Sequence, residues 1–390
     1  MKSRTVFVSL LVALLAGAFL MVPALGTAQT SGEANWSDTA VVPLSPDQEP
    51  NLATPIPANE HPMGAAVIQM NNDSSQICYQ LWVTGISNVS QAHIHMGAVG
   101  QEGPVVAWLF PSAKAAQGSA SPNTTNMPGN FTGLLAKGNI SASDLVGPMQ
   151  GKNLTDLKAA MMSGQLYVNV HTTQNPGGEI RGQINSSNIW TAAAAVPMSP
   201  LQEPTLTATG SKWNVTGLTA NSSMDALVGR NLGGIPWGVA VVQHNGTNLH
   251  YGLWTFNIAN VTQAHFHMGA LGVEGPVVAW LYPSSTATAP ATISPEQAGQ
   301  LMNGKLIEGN VSDANLVGPL QGKTVNDLAS AIGNGSIYVN VHSTQNPGGE
   351  IRGQIDPMNM TCGATPSAGS APSMNPPSPS PPPSNPVYVM

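Results

Sequence analysis

The sequence predicts a mainly β protein made of two tandem domains with short crossover helices. Three observations carry this. The first is an internal repeat. QAHIHMGAVGQEGPVVAW, from Gln91 to Trp108, returns at Gln263 to Trp280 as QAHFHMGALGVEGPVVAW, and YVNVHTTQNPGGEIRGQI, from Tyr167, returns from Tyr338 with one substitution. The second is period-2 alternation in QICYQLWVTGI, from Gln76, and NLHYGLWTFNI, from Asn248, the pattern of half-buried strands. The third is the run of Gly, Pro, Asn and Ser clusters between such segments, which are turn residues.

Taken in order, the first repeat spans 36–187 and opens at Trp36 with WSDTAVVPLSPDQEP; the second spans 190–357 and opens at Trp190 with WTAAAAVPMSPLQEP. A strand-like segment follows in each, from Gly64 and from Gly238. The copies lie 154 residues apart at Trp36 and Trp190 but 172 apart at His93 and His265, so the second holds a net insertion of 18 residues, within about 206–236. Rich in Gly, Asn, Ser and Thr, it reads as a surface loop. After Trp108 and Trp280, Leu154, Leu157 and Met161 fall on one helical face, which predicts a short helix over 154–162 and a counterpart in the second repeat. Each repeat ends on two strands, LYVNVH and EIRGQI in the first, joined by the tight turn TTQNPGG. From Ala364 to residue 390 the chain is Pro/Ser-rich and uncharged, which predicts an extended disordered tail.

Composition gives an address. Only 8% of the 390 residues are charged, against about 25% in ordinary soluble proteins. The start reads as a basic MKSR, an apolar run to about Val22 and a small-residue zone through Ala28, the grammar of a secretory signal peptide over 1–28. A retained membrane anchor is the competing reading. Cleavage would remove Lys2 and Arg4 and leave 10 basic against 19 acidic residues. No later segment is long and apolar enough to span a bilayer, and no basic patch points to nucleic acid. Fifteen Asn-x-Ser/Thr sequons, from Asn35 to Asn359, exceed the roughly five that chance would supply. They predict an extracellular or cell-surface glycoprotein. The two cysteines, Cys78 and Cys362, are compatible with a disulfide stapling the repeats or with two buried thiols.

The chemistry concentrates in six histidines. On a strand, residues i and i+2 share a face, so His93 and His95 point the same way, as do Tyr167, Asn169 and His171. If these two strands are neighbours, His93, His95 and His171 converge; in the second copy the set is His265, His267 and His342. Three imidazoles and an open position suit a labile copper or zinc ion. Glu179 and Arg181, with Glu350 and Arg352, stand nearby and read as rim ion pairs in a supporting role. The other reading is structural: the histidines are hydrogen-bond partners of the glycine-rich turns. Glu49 and Glu203, in the QEP motifs, read as caps of a strand-edge turn.

The elements L-S-x-x-Q-E-P, A-H-x-H-M-G-A-x-G-x-E-G-P-V-V-A-W-L and Y-V-N-V-H-[TS]-T-Q-N-P-G-G-E-I-R-G-Q-I resemble the CHRD domain, the module repeated in chordin and found in many microbial secreted proteins. The resemblance implies an immunoglobulin-like β-sandwich or barrel akin to copper/zinc superoxide dismutase. It matches the dismutase copper site at His93, His95, His171 and Arg181, and again at His265, His267, His342 and Arg352. The bridging histidine, the zinc ligands and the intradomain cysteine pair of the dismutase have no counterpart here. The expected role is therefore first a non-enzymatic binding or envelope function, with an extracellular protein, glycan or envelope component as partner. Mononuclear copper or zinc binding comes second, and an active dismutase third.

Overall fold

The computed structural model describes residues 37–57, 60–70, 74–112, 124–204, 228–231, 233–294 and 298–355. The expected signal segment, the Pro/Ser tail, Cys362 and most of the 206–236 insertion lie outside them.

The first repeat contains β1 (Ser37–Leu44), β2 (Met63–Met70), β3 (Ile77–Met96), β4 (Val105–Phe110), β5 (Met127–Ile140), helix α1 (Leu154–Met162), β6 (Leu166–Thr172) and β7 (Ile180–Ile184). The second repeats the order with β8 (Ile189–Met198), β9 (Trp237–His244), β10 (Leu249–Ala259), β11 (Val261–Met268), β12 (Val277–Tyr282), β13 (Leu301–Val311), α2 (Val325–Gly333), β14 (Ile337–Ser343) and β15 (Ile351–Ile355). The fold is mainly β, with sandwich- or barrel-like antiparallel sheets.

β3 explains the architecture. Its first half pairs with β2 and β5; its second half pairs with β4 and β6. One strand therefore serves both layers. It turns between them near Gly85 and Asn88, whose φ values of 62° and 55° lie in the left-handed region. In the second repeat the same path is divided into β10 and β11, with Asn257 and Asn260 at positive φ. A backbone bridge from Ser45 to Arg181 ties the end of β1 to β7, and Ser199 to Arg352 does the same in the second copy.

The helices are short and well capped. Asn153 accepts from the Asp156 amide while Asp156 accepts from the Asn153 amide, closing a capping box at α1. Leu154, Leu157 and Met161 are the buried face of α1, and Val325, Leu328 and Ile332 that of α2.

β1 and β2 are buried on both sides. On β1 and β2, Ala40, Val42, Leu44, Ala66 and Ile68 face the core of the first repeat. Their alternates Val41, Ala65 and Val67 join a separate cluster with Trp82 and with Ala193, Ala195, Val239, Val241, Trp237, Trp254 and Phe256 of the second repeat. β1 also pairs antiparallel with β8, Ser37 opposite Ala193 and Thr39 opposite Trp190. Each repeat thus has its own core, and a third core joins them. Trp82 stacks on Trp237 at 5.2 Å between ring centroids, and Trp237 stacks on Phe256 at 4.0 Å.

Candidate metal centre

The β3–β6 pairing sets the site. His93 lies opposite Asn169, His95 opposite Tyr167 and Gln91 opposite His171. Period 2 puts both β3 imidazoles on one face, and the antiparallel register brings the His171 ring to them. One ring nitrogen from each of His93, His95 and His171 lies within 4.8 Å of the others, and His265, His267 and His342 form the same cluster in the second repeat. All six side chains are buried, at 8% exposure or less.

Tautomers can be assigned from partners that only accept. His95 Nδ1 lies 2.9 Å from the Gly103 carbonyl oxygen, and His171 Nδ1 lies 3.0 Å from that of Pro176. Each Nδ1 therefore carries the proton, and each Nε2 of a neutral ring presents a lone pair. Those two Nε2 atoms face each other at 3.3 Å. No proton stands between them, so the contact is two acceptors and not a hydrogen bond. His93 adds Nδ1 at 3.1 Å from His171 Nε2, while its own Nε2 is buried without a hydrogen-bond partner. If Nε2 of His93 holds the proton, three lone pairs converge on one point.

The rings are neutral. Burial drives His93 down to about 2 and His171 to about 3, with the neighbouring imidazoles pushing the same way. His95 is also lowered by burial, against the Gly103 carbonyl bond that raises it. In the second copy burial lowers His265 to about 2 and His342 to about 4, and lowers His267 as well. There His267 Nδ1 meets the Gly275 oxygen at 2.8 Å and His342 Nδ1 the Pro347 oxygen at 3.0 Å. The rings of His267 and His342 stand slightly farther apart, 5.9 Å between centroids against 5.4 Å for His95 and His171.

The surroundings hold the two accepting carbonyls. Glu179 accepts from Thr172 Oγ1 at 2.6 Å and Asn175 Nδ2 at 3.2 Å, fixing the turn that presents Pro176. Arg181 donates to the carbonyls of Ala98 and Gln101, each at 2.8 Å, and so fixes the loop that ends at Gly103. The expected rim ion pair is corrected: Glu179 and Arg181 are 5% and 1% exposed, and they bind separate turns. Glu350 and Arg352 repeat this, with Glu350 taking Asn346 and Arg352 taking Ala270 and Val273. Since both terminal nitrogens of Arg181 are engaged by the loop and Gln183, its guanidinium is committed to structure. Glu49 closes a 3-10 turn through its amide, as a cap should, but its carboxyl also reaches inward. A Cβ at Gly178 (φ 139°) would lie 2.6 Å from Glu49 Oε1 and 2.3 Å from Asn169 Nδ2. Burial pushes Glu49 up to about 7, and buried Glu203 up to about 8.

Sequence reasoning missed two aromatic neighbours. Tyr167 stacks on His95 at 5.0 Å, and Arg181 covers the other face of the phenol at 3.4 Å. Trp108 meets His93 edge-on at 4.4 Å. Tyr338, Arg352 and Trp280 repeat these contacts. The available signal was that Tyr167 shares the face of His171 on its strand; Trp108 is brought to His93 only by the β3–β4 register.

No curated protein and no solved structure matches the chain. The family described as the CHRD domain matches residues 41–184 and 230–355. Those two stretches cover most of the protein and contain both histidine triads, so the chain belongs to the CHRD-domain family.

Proposed function

We propose that this is an exported protein that binds one copper or zinc ion in each repeat, through His93, His95 and His171 and through His265, His267 and His342. The observation that carries this is the 3.3 Å approach of His95 Nε2 to His171 Nε2, with both Nδ1 atoms committed to carbonyls. Two buried lone pairs that face each other repel, and a cation between them turns that cost into two bonds. The purely structural reading explains the Nδ1 bonds but leaves the Nε2 atoms opposed. The Nδ1–carbonyl bonds are also the usual outer support of metal-binding imidazoles. Copper and zinc both accept imidazole nitrogen. When bound, either ion supplies a Lewis-acidic position, and copper also supplies a redox couple.

The proposal is for binding and not for turnover. The arginine that matches the dismutase in sequence spends its terminal nitrogens on loop carbonyls. Export rests on the signal-like start and the sequons. A Cys78–Cys362 disulfide belongs to the same reading, supported by the absence of any free cysteine among the described residues. The test is elemental analysis of the secreted protein beside a His93→Ala/His95→Ala/His265→Ala/His267→Ala variant shown to be folded by circular dichroism. Near two equivalents of metal in the parent and near none in the variant is the expected result. Equal content in both would sink the proposal.

A further inference from the structure

The asparagine side-chain amides are used in more than one way. Asn126, Asn169, Asn175, Asn188, Asn231 and Asn257, none in a sequon, donate through Nδ2 to protein oxygens. The sequon residues Asn88, Asn153, Asn185, Asn245 and Asn260 use the carbonyl end instead, as Asn303 and Asn315 do outside any sequon. Each of the five accepts through Oδ1 from a backbone amide: Gly129 (2.9 Å), Asp156 (2.8 Å), Ser187 (2.9 Å), Asn248 (2.8 Å) and Gly299 (2.8 Å). Among the described residues none of these five donates through Nδ2. No described sequon asparagine is buried.

We infer that these five amides are N-glycosylation sites, and that the fold leaves their nitrogens unused so that sugar can be carried on them. The inference rests on the export part of the proposed function but not on metal binding. The chemistry needs a lipid-diphosphate-linked oligosaccharide and its transferase. The amide nitrogen loses one proton and forms the C–N bond to the anomeric carbon. The C1–O bond breaks, and the lipid diphosphate leaves with its electron pair. A fold that demanded the second Nδ2 hydrogen for a buried bond would resist such a product. A fold that uses Oδ1 alone accepts it unchanged. Two sites add an internal feature: the sequon hydroxyls of Ser187 and Thr247 both reach the Oδ1 of their own asparagine. Asn88 and Asn260 occupy equivalent positions in the two repeats, both at positive φ, so their modification would be shared by both copies.

The test is peptide mapping by mass spectrometry on the protein purified from its native cells, with cell fractions analysed separately. Added glycan mass located by fragmentation on Asn88, Asn153, Asn185, Asn245 and Asn260, and none on Asn126, Asn231 and Asn257, is the expected result. Asn245→Gln should lose one glycan increment from the intact mass while keeping its metal content. Exported protein with unmodified sequon peptides would overturn the inference alone. Unmodified protein confined to the cytosol would overturn both it and the export reading. Metal content measured on the same sample separates either result from failure of the metal centre.

Discussion

Nε2 of His95 and Nε2 of His171 stand 3.3 Å apart, each a lone pair facing a lone pair, because the Gly103 and Pro176 carbonyls hold the protons on the opposite sides of the rings. A cation that enters this gap binds the folded chain and not the unfolded one. Copper or zinc should therefore raise the melting temperature of metal-stripped protein. Each site contributes about 2.7 kcal/mol at a metal concentration 100 times its Kd. Calorimetry with and without a chelator measures this, and an unchanged Tm would contradict it.

Glu179 acts one step back from the imidazoles. By taking Thr172 and Asn175 it shapes the turn whose Pro176 carbonyl orients His171. Glu179→Ala should weaken metal binding in the first repeat by about 10- to 100-fold, as loss of such outer partners does, and leave the second repeat intact. Titration calorimetry should then resolve two unequal sites. Two unchanged sites would argue against the positioning role.

The pH dependence of the metal-free protein has two limbs. His93, His171, His265 and His342 sit at about 2 to 4 when folded, against 6.5 for an ordinary imidazole. Below about 6.5 the unfolded chain takes up protons that the folded one refuses, so this stability is present above 6.5 and lost on acidification. Glu49 and Glu203 are raised from 4.5 to about 7 and about 8, so their contribution is present at low pH and lost as pH rises through those values. The histidines outnumber the carboxyls, so denaturant midpoints should peak near pH 6.5, fall steeply on the acid side and gently on the alkaline side. A flat profile from 4 to 8 would contradict this.

Two glycines of one loop should respond very unequally. A Cβ at Gly103 would lie 1.6 Å from the Met96 carbonyl oxygen, whereas at Gly100 nothing lies within 4 Å. Gly103→Ala must displace the loop that anchors His95. It should lower Tm markedly and remove the first metal site. Gly100→Ala, at φ 73°, should cost only the left-handed strain of about 1–2 kcal/mol and keep both sites. Thermal melts and metal counts on the two variants check this.

Trp82 reports on the joint between the repeats. It is fully buried in the third core against Trp237. Trp82→Ala should cost about 3–5 kcal/mol and weaken both repeats together, since the same cavity opens beside each. Fluorescence melts should show this as a single lowered transition. Two transitions, one of them unmoved, would mean that the repeats are energetically separate.

Much of this was legible in the residues. Period 2 sufficed to put His93 and His95 on one face, and the Leu154, Leu157 and Met161 spacing sufficed for α1. What was hidden was set by the backbone or by the partner repeat. The Gly103 and Pro176 carbonyls carry no side-chain signature, so the tautomers could not be read. Glu179 and Arg181 look like a pair because opposite charges two apart on a strand share a face, yet each finds closer partners in a different turn. The third core was invisible because an apolar residue on the second face of β1 or β2 looks the same whether it meets water or another sheet. The break between β10 and β11, where β3 runs on, was also out of reach, since Asn88 and Asn260 stand at the same place in both paths.

The joining of the two repeats through Val41, Val67 and Trp82 on one side and Val239, Val241 and Trp237 on the other makes the chain a covalent homodimer in all but sequence identity. Separate copies meeting through this face would fall apart on dilution. Tethered by the short segment between β7 and β8, they meet at an effective concentration in the millimolar range whatever the concentration of the protein. The two triads therefore stay in a fixed ratio of one to one at any dilution.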